Sequence, residues 1–216
     1  MRKHYASYRF LLPTVVLAAM AMMVLGYLYI LADRAARDAK VDIGMPFVLA
    51  SSKGDLVDSQ TLIGKPYALF FGFTHCPEVC PTTLYEMSSS LERLGKQAEG
   101  FRVFFVTVDP ERDTVESLRD YLSNFDPRME GLVPTVEQLP ALASAYRIYY
   151  AKIPTSDGGY TMDHSALVYL FDKDGHYADM ISYGTASATR DKKLRVPSPM
   201  ITSPLGDPPC SWQDRS

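Results

Sequence analysis

The segment PYALFFGFTHCPEVCPTTLYEMSSSLERLGKQAEGFRVFFVTV, Pro66 to Val108, decides the architecture. Its two ends, 66–73 and 101–108, are nearly continuous in apolar residues, as strands covered on both faces must be. Between them Leu84, Met87, Leu91 and Leu94 recur at spacings of three, four and three, which is one face of a helix. Strand, helix and strand in this order predict a parallel pair and an α/β fold.

Downstream, a second helix is expected from Thr114, turning Val115, Leu118 and Leu122 inward. A third is expected from Thr135, with Gln138 completing a capping box, to about Tyr146. Residues 166–171 and 177–182 read as strands joined by the turn Asp172-Lys173-Asp174-Gly175. Parallel units followed by a closing hairpin make a mixed sheet flanked by helices. From about Ala186 the periodicity stops, and the final stretch holds prolines 197, 199, 204, 208 and 209, so a disordered tail is expected and no closing helix is legible.

Upstream, residues 10–32 run without a charge, longer than the roughly 20 apolar residues that cross a bilayer. The run exceeds the apolar region of a cleavable signal and ends without a small-residue cut site, so it reads as a retained anchor. Arg2, Lys3 and Arg9 precede it and place the N-terminus inside by the positive-inside rule, leaving the rest of the chain to face outward. The expected organisation is therefore cytoplasmic 1–9, anchor 10–32, tether 33–43, an α/β domain over 44–185 and a tail over 186–216.

The chain has 216 residues, 47% hydrophobic and 22% charged, with a net charge of −3 at pH 7. The three basic residues before the anchor account for +3, so the remainder carries −6. This composition excludes a disordered chain and a basic nucleic-acid binder, and an acidic outer domain is not held to anionic lipid by charge.

Three cysteines are too few for a disulfide-stapled fold, but Cys76 and Cys80 sit four positions apart. The first follows a buried strand and the second opens a helix, whose N-terminal N–H groups favour a thiolate. A structural disulfide here would close a loop of few residues and stabilise weakly; metal and redox chemistry remain. Structural zinc wants four ligands, and no second pair exists in the domain. Two thiolates with one imidazole form a soft, low-coordinate set that suits copper, above all Cu(I). Of the four histidines, His4 precedes the anchor, His75 adjoins Cys76 and His176 follows a turn. His164 opens the stretch HSALVYLF at a strand edge, with Asp163 beside it to orient the ring from the outer shell. A histidine satisfied at a strand start is the competing reading of that residue.

The motifs FGFTHCPEVCPTT, VTVDPERDT and MDHSALVYLFDKDG, in this order over 44–184, resemble the Sco/SenC family of copper chaperones. The resemblance implies a membrane-anchored, thioredoxin-like domain that binds copper, as Cu(I) or Cu(II), through Cys76, Cys80 and His164. It also implies help in assembling the binuclear copper centre in subunit II of cytochrome c oxidase, with copper donors or thiol reductants as further partners. A basic lead without a transit-type region favours a bacterial inner membrane, with the domain in the periplasm. The departure from the family is the tail after Tyr183-Gly184-Thr185, where an amphipathic helix is usual. Cys210 has no place in the motif.

The rival class is a thiol–disulfide oxidoreductase with Cys76 and Cys80 as its redox pair. Thioredoxin-type enzymes use C-x-x-C, and a peroxiredoxin would need Pro and Thr where Leu69 and Phe73 stand. The sequence therefore expects a metal-handling protein rather than an enzyme. The segment Asp109–Thr114 reads as a strand end, a Pro turn and a Thr helix cap, with Asp113 and Glu116 near the positive end of a helix.

Overall fold

The computed structural model describes residues 8–37 and 43–195, which fall into two compact units divided between Val41 and Asp42. The first unit is a single helix, α1 (Tyr8–Arg37). Its stretch Pro13–Leu31 has a mean hydropathy of 2.2, is exposed throughout, and is long and apolar enough to cross a membrane. The helix continues through Asp33–Arg37, so the first five residues of the expected tether are helical. Ala and Arg are strong helix formers, and a change from apolar to polar residues does not end a helix.

The second unit is built on a mixed sheet. Its strands are β1 (Val48–Ser51), β2 (Leu56–Asp58), β3 (Tyr67–Gly72), β4 (Arg102–Thr107), β5 (Met129–Val133), β8 (Leu167–Phe171) and β9 (Tyr177–Ser182), in the order β2-β1-β5-β4-β3-β8-β9. The central trio β3, β4 and β5 is parallel, with Gly72 opposite Thr107, and the flanking strands run antiparallel to their neighbours. A separate antiparallel ribbon is formed by β6 (Tyr150–Pro154) and β7 (Tyr160–His164), which pair Tyr150 with His164 at one end and Pro154 with Tyr160 at the other.

Helix α2 (Val79–Leu94) buries Leu84, Met87, Leu91 and Leu94, the residues whose spacing predicts it. With α3 (Val115–Leu122) it covers one face of the sheet, over Ala68, Phe70, Val103 and Phe105. Thr114 caps α3 reciprocally with Ser117, and Leu118 and Leu122 are buried. Helix α4 (Leu139–Ala145) lies on the opposite face, packed with Leu69, Phe71, Phe104 and Val106. Thr135 and Gln138 exchange hydrogen bonds in the turn before it, so the expected capping box forms one turn ahead of the regular helix.

Two expectations are corrected. A last helix does exist: α5 (Ser187–Arg195) occupies the start of the expected disordered tail. It escapes a periodicity reading because Leu194 is its only large apolar residue. Its second buried anchor is Arg190, which donates to Ser90 Oγ, Glu86 and the Thr185 carbonyl. Arg93–Asp191 and Lys193–Asp179 pairs add to the seam. Second, His164 does not open the strand of residues 166–171; it closes β7, and Ser165 and Ala166 separate it from β8. His4, Cys210 and the expected tail beyond Arg195 lie outside the described residues.

Candidate metal centre

The site forms where β3 and β4 end, the edge at which open α/β sheets place their ligands. Residues 73–78 leave β3 and turn into α2, and a backbone bond from Cys76 N to the Phe73 carbonyl (3.3 Å) folds the loop back on itself. Cys76 is half-buried and Cys80 is fully buried at the first turn of α2, both as free thiols. Gly72 makes this possible: a Cβ there would lie 2.6 Å from the Phe105 ring and 2.8 Å from Cys80 Sγ. The strand passes close beside the sulfur because it carries no side chain at that point.

The ribbon brings His164 to the same place. Its Nε2 lies 3.5 Å from Cys80 Sγ, and Sγ of both cysteines and an imidazole nitrogen all fall within 4.8 Å of one another. The ring stands edge-to-face against Phe73, with centroids 5.7 Å apart. Its Nδ1 faces the Ser165 carbonyl at 3.1 Å. The expected outer-shell role of Asp163 is not what the structure shows: neighbouring side chains of a strand point to opposite faces, and the Asp163 carboxylate is exposed on the other side of β7. Among the described residues, Asp172, Asp174 and His176 form a second grouping, but Asp172 accepts the N–H groups of Asp174 and His176 and so closes the hairpin turn.

The two sulfurs are electrostatically unequal. The Cys80 side chain, the His164 ring and the backbone N–H groups of Cys80 and Glu78 all favour a thiolate on Cys76 and hold its pKa well below the ordinary thiol value. The Cys80 N–H, at the start of α2, points at Cys76 Sγ over 3.4 Å. Cys80 moves the other way, because its hydrogen bond to Cys76 and its burial both keep it protonated. Both shifts favour the first negative charge of the pair on Cys76, the less buried sulfur. The sequence places Cys80 at the helix mouth, but the helix directs its free N–H to the other cysteine.

Around the loop stand residues that no motif reading singled out for the site. Asp113, fully buried, accepts from Thr74 N (3.0 Å), Thr74 Oγ1 (2.5 Å) and Thr107 Oγ1 (2.6 Å). It holds the cysteine loop rather than merely standing near a helix end. The expected chemistry of Thr114 as a cap is present as well, so one segment serves both purposes.

A family model described as SCO1/SenC matches residues 35–196. The chain belongs to the SCO1/SenC family. It is 38% identical over 140 residues to the mitochondrial SCO1 homolog 1 of Arabidopsis thaliana, and 36% identical over 140 residues to the SCO2-like protein RP587 of Rickettsia prowazekii. These regions cover 64% of this chain in each case, 42% of the plant protein and 68% of the bacterial one. Among solved structures, ScoI of Bradyrhizobium japonicum with copper bound shares 44% identity and a TM-score of 0.66, over 71% of this chain and 98% of that one. The alignment of fold and family makes this a SCO1/SenC domain with the thioredoxin-like mixed sheet that the strand order displays.

Proposed function

We propose that this SCO1/SenC protein takes up copper on Cys76, Cys80 and His164 and passes it to the binuclear copper site of cytochrome c oxidase subunit II. The observation that supports this reading is the convergence of two sulfurs and one imidazole nitrogen within 4.8 Å, from residues 84 positions apart in the chain. Copper would supply a soft cation, which thiolates and imidazole hold in preference to harder cations. This chain supplies a half-buried thiolate at Cys76 for first capture, a dry sulfur at Cys80, and a ring whose Nδ1 is fixed by the Ser165 carbonyl so that Nε2 is the donor. A site open on the Cys76 side suits cargo that must leave again. The apolar helix α1 is read as a single-pass anchor in a bacterial inner membrane, with the copper domain facing the periplasm.

The unequal thiols favour a second reading, thiol–disulfide exchange with the target's own cysteines. In that step the Cys76 thiolate attacks a target disulfide, one target sulfur leaves as a thiol, and Cys80 then resolves the mixed disulfide. The target ends reduced by two electrons and the Cys76–Cys80 pair ends oxidised, to be restored by a dithiol donor.

The deciding experiment is copper stoichiometry on the reduced protein. One tightly held Cu(I) per chain is expected, abolished by Cys76→Ser or Cys80→Ser and loosened by His164→Ala, with the fold intact by circular dichroism. Full affinity in the cysteine variants would refute the site. Absence of copper, together with turnover of protein disulfides, would give the function to the second reading.

A further inference from the structure

The cysteines and the histidine reach the site on separate supports. The cysteine loop leaves the end of β3, whereas His164 rides on a two-stranded ribbon outside the main sheet. A two-stranded ribbon alone is marginal in water, so the position of its last residue depends on what ties it down. Met162 is buried in the core and Tyr150 and Tyr160 pack against the same cluster, apolar contacts that seat the ribbon; the directional hydrogen bonds to it come from elsewhere.

The turn Asp109–Asp113 touches both supports. Toward the loop, Asp113 receives the two hydrogen bonds from Thr74, two residues before Cys76. Toward the ribbon, buried Asp109 accepts the Tyr160 hydroxyl at 2.9 Å and the Arg112 Nε at 2.5 Å. Arg112 Nη1 donates to the Tyr160 carbonyl at 2.8 Å, and its guanidinium lies 3.8 Å from the centre of the Tyr160 ring. Tyr160 is the first residue of β7 and His164 the last.

The turn itself is rigid. Asp113 N and Arg112 N both donate to the Asp109 carbonyl, and Thr107 Oγ1 accepts from Asp109 N while donating to Asp113. Thr107 thus ties the Asp109 backbone to the Asp113 carboxylate, and the two buried carboxylates face one support each. The exposed Lys152–Glu111 pair also spans turn and ribbon, but pairs of that kind contribute little.

We propose that Asp109, Arg112 and Asp113 are positioning residues for the metal site. One turn fixes the cysteine loop with Asp113 and the ribbon with Asp109 and Arg112, and so sets the distance between the sulfurs and the His164 imidazole. The proposal rests on the copper reading above and adds to it the element that brings the third ligand into register.

The test uses the full chain, reduced, in detergent micelles, with Cu(I) affinity measured by competition against a chromophoric chelator. Arg112→Ala is expected to weaken binding about 10- to 100-fold, the range for loss of an outer partner of a metal ligand. Tyr160→Phe, which keeps the ring under Arg112 and deletes only the hydroxyl, is expected to weaken it less. Neither loss should persist when His164→Ala is already present, because both act through that ring. Asp113→Asn acts through the sulfurs, so its loss should persist in the His164→Ala background.

A metal-free readout accompanies this. In protein labelled at histidine, the His164 ring resonances should shift in Arg112→Ala and Tyr160→Phe, and amide exchange over residues 160–164 should accelerate while α2 stays protected. Unshifted ring resonances with wild-type affinity, or Arg112→Ala losses of equal size with and without the His164 imidazole, would overturn the proposal. A wild-type chain that failed to compete for Cu(I) would defeat the copper reading itself, and the ring resonances would still decide the positioning claim.

Discussion

At the scale of single residues, Gly72 and the cysteine pair carry the sharpest consequences. Gly72→Ala would push a methyl into the Phe105 ring and Cys80 Sγ at distances that real Cβ contacts do not show. A loss of about 1–3 kcal/mol is expected, the range for overpacking a filled core, together with displacement of Cys80. Thermal unfolding and Cu(I) affinity should fall together; a variant with wild-type melting would show that β3 can shift away from the sulfur. The cysteine spacing was legible in the sequence, whereas His164 was singled out among four histidines by the family resemblance, its position alone leaving a satisfied strand-start histidine open. The inequality of the two sulfurs was not legible, because it arises from which sulfur receives the Cys80 N–H and which is buried. Asp163 was misplaced for a related reason: adjacency in sequence puts two strand side chains on opposite faces.

At the scale of elements, α5 shows how a helix can be held without an apolar stripe. Arg190 lies with its guanidinium between Ser90, Glu86 and the Thr185 carbonyl, all on or beside the seam with α2. Arg190→Ala should cost about 1.5–3 kcal/mol, as hydrogen bonds to a charged group do, whereas Lys192→Ala on the exposed side should change stability by no more than about 0.5 kcal/mol. Urea unfolding monitored by circular dichroism measures both, and equal effects would mean that α5 is not anchored through Arg190. The strands β3 and β4 and helix α2 were plain from their periodicity, since each buries a long apolar run or face. The ribbon of β6 and β7 was not, because its strand residues are mixed in character and the ribbon is tied by side-chain contacts to the Asp109–Asp113 turn.

At the scale of the whole chain, the sheet domain should be acid-sensitive through carboxylates paired with basic or hydroxyl side chains, Glu130 across elements and Asp126 locally. Burial pushes Glu130 up, but the Ser51 hydroxyl on β1 and the Arg102 guanidinium on β4 outweigh it and hold its carboxyl below the ordinary range. Asp126 is likewise raised by burial and lowered further by Arg128. A carboxyl with a depressed folded pKa contributes stability that is present above its unfolded pKa and is lost as pH falls through the folded one. The melting temperature should therefore stay level above about pH 5 and drop below about pH 4. Glu130→Gln should melt lower at neutral pH and show a shallower acid decline; an unchanged slope would remove Glu130 from the account.

The sequence by itself determined the α/β class, the long apolar N-terminal helix, the parallel β3–α2–β4 unit and the close spacing of Cys76 and Cys80. These rest on periodicity, composition and spacing, which are local properties of a chain. Tertiary structure alone decided which sulfur receives the Cys80 N–H, which carbonyl faces His164 Nδ1, how Arg190 anchors α5, and that Asp109 and Asp113 face the two supports of the site. Each of those depends on a hydrogen bond or a burial shared between residues that are distant in sequence or whose side chains only the folded backbone orients. No local pattern encodes which of many polar residues will meet.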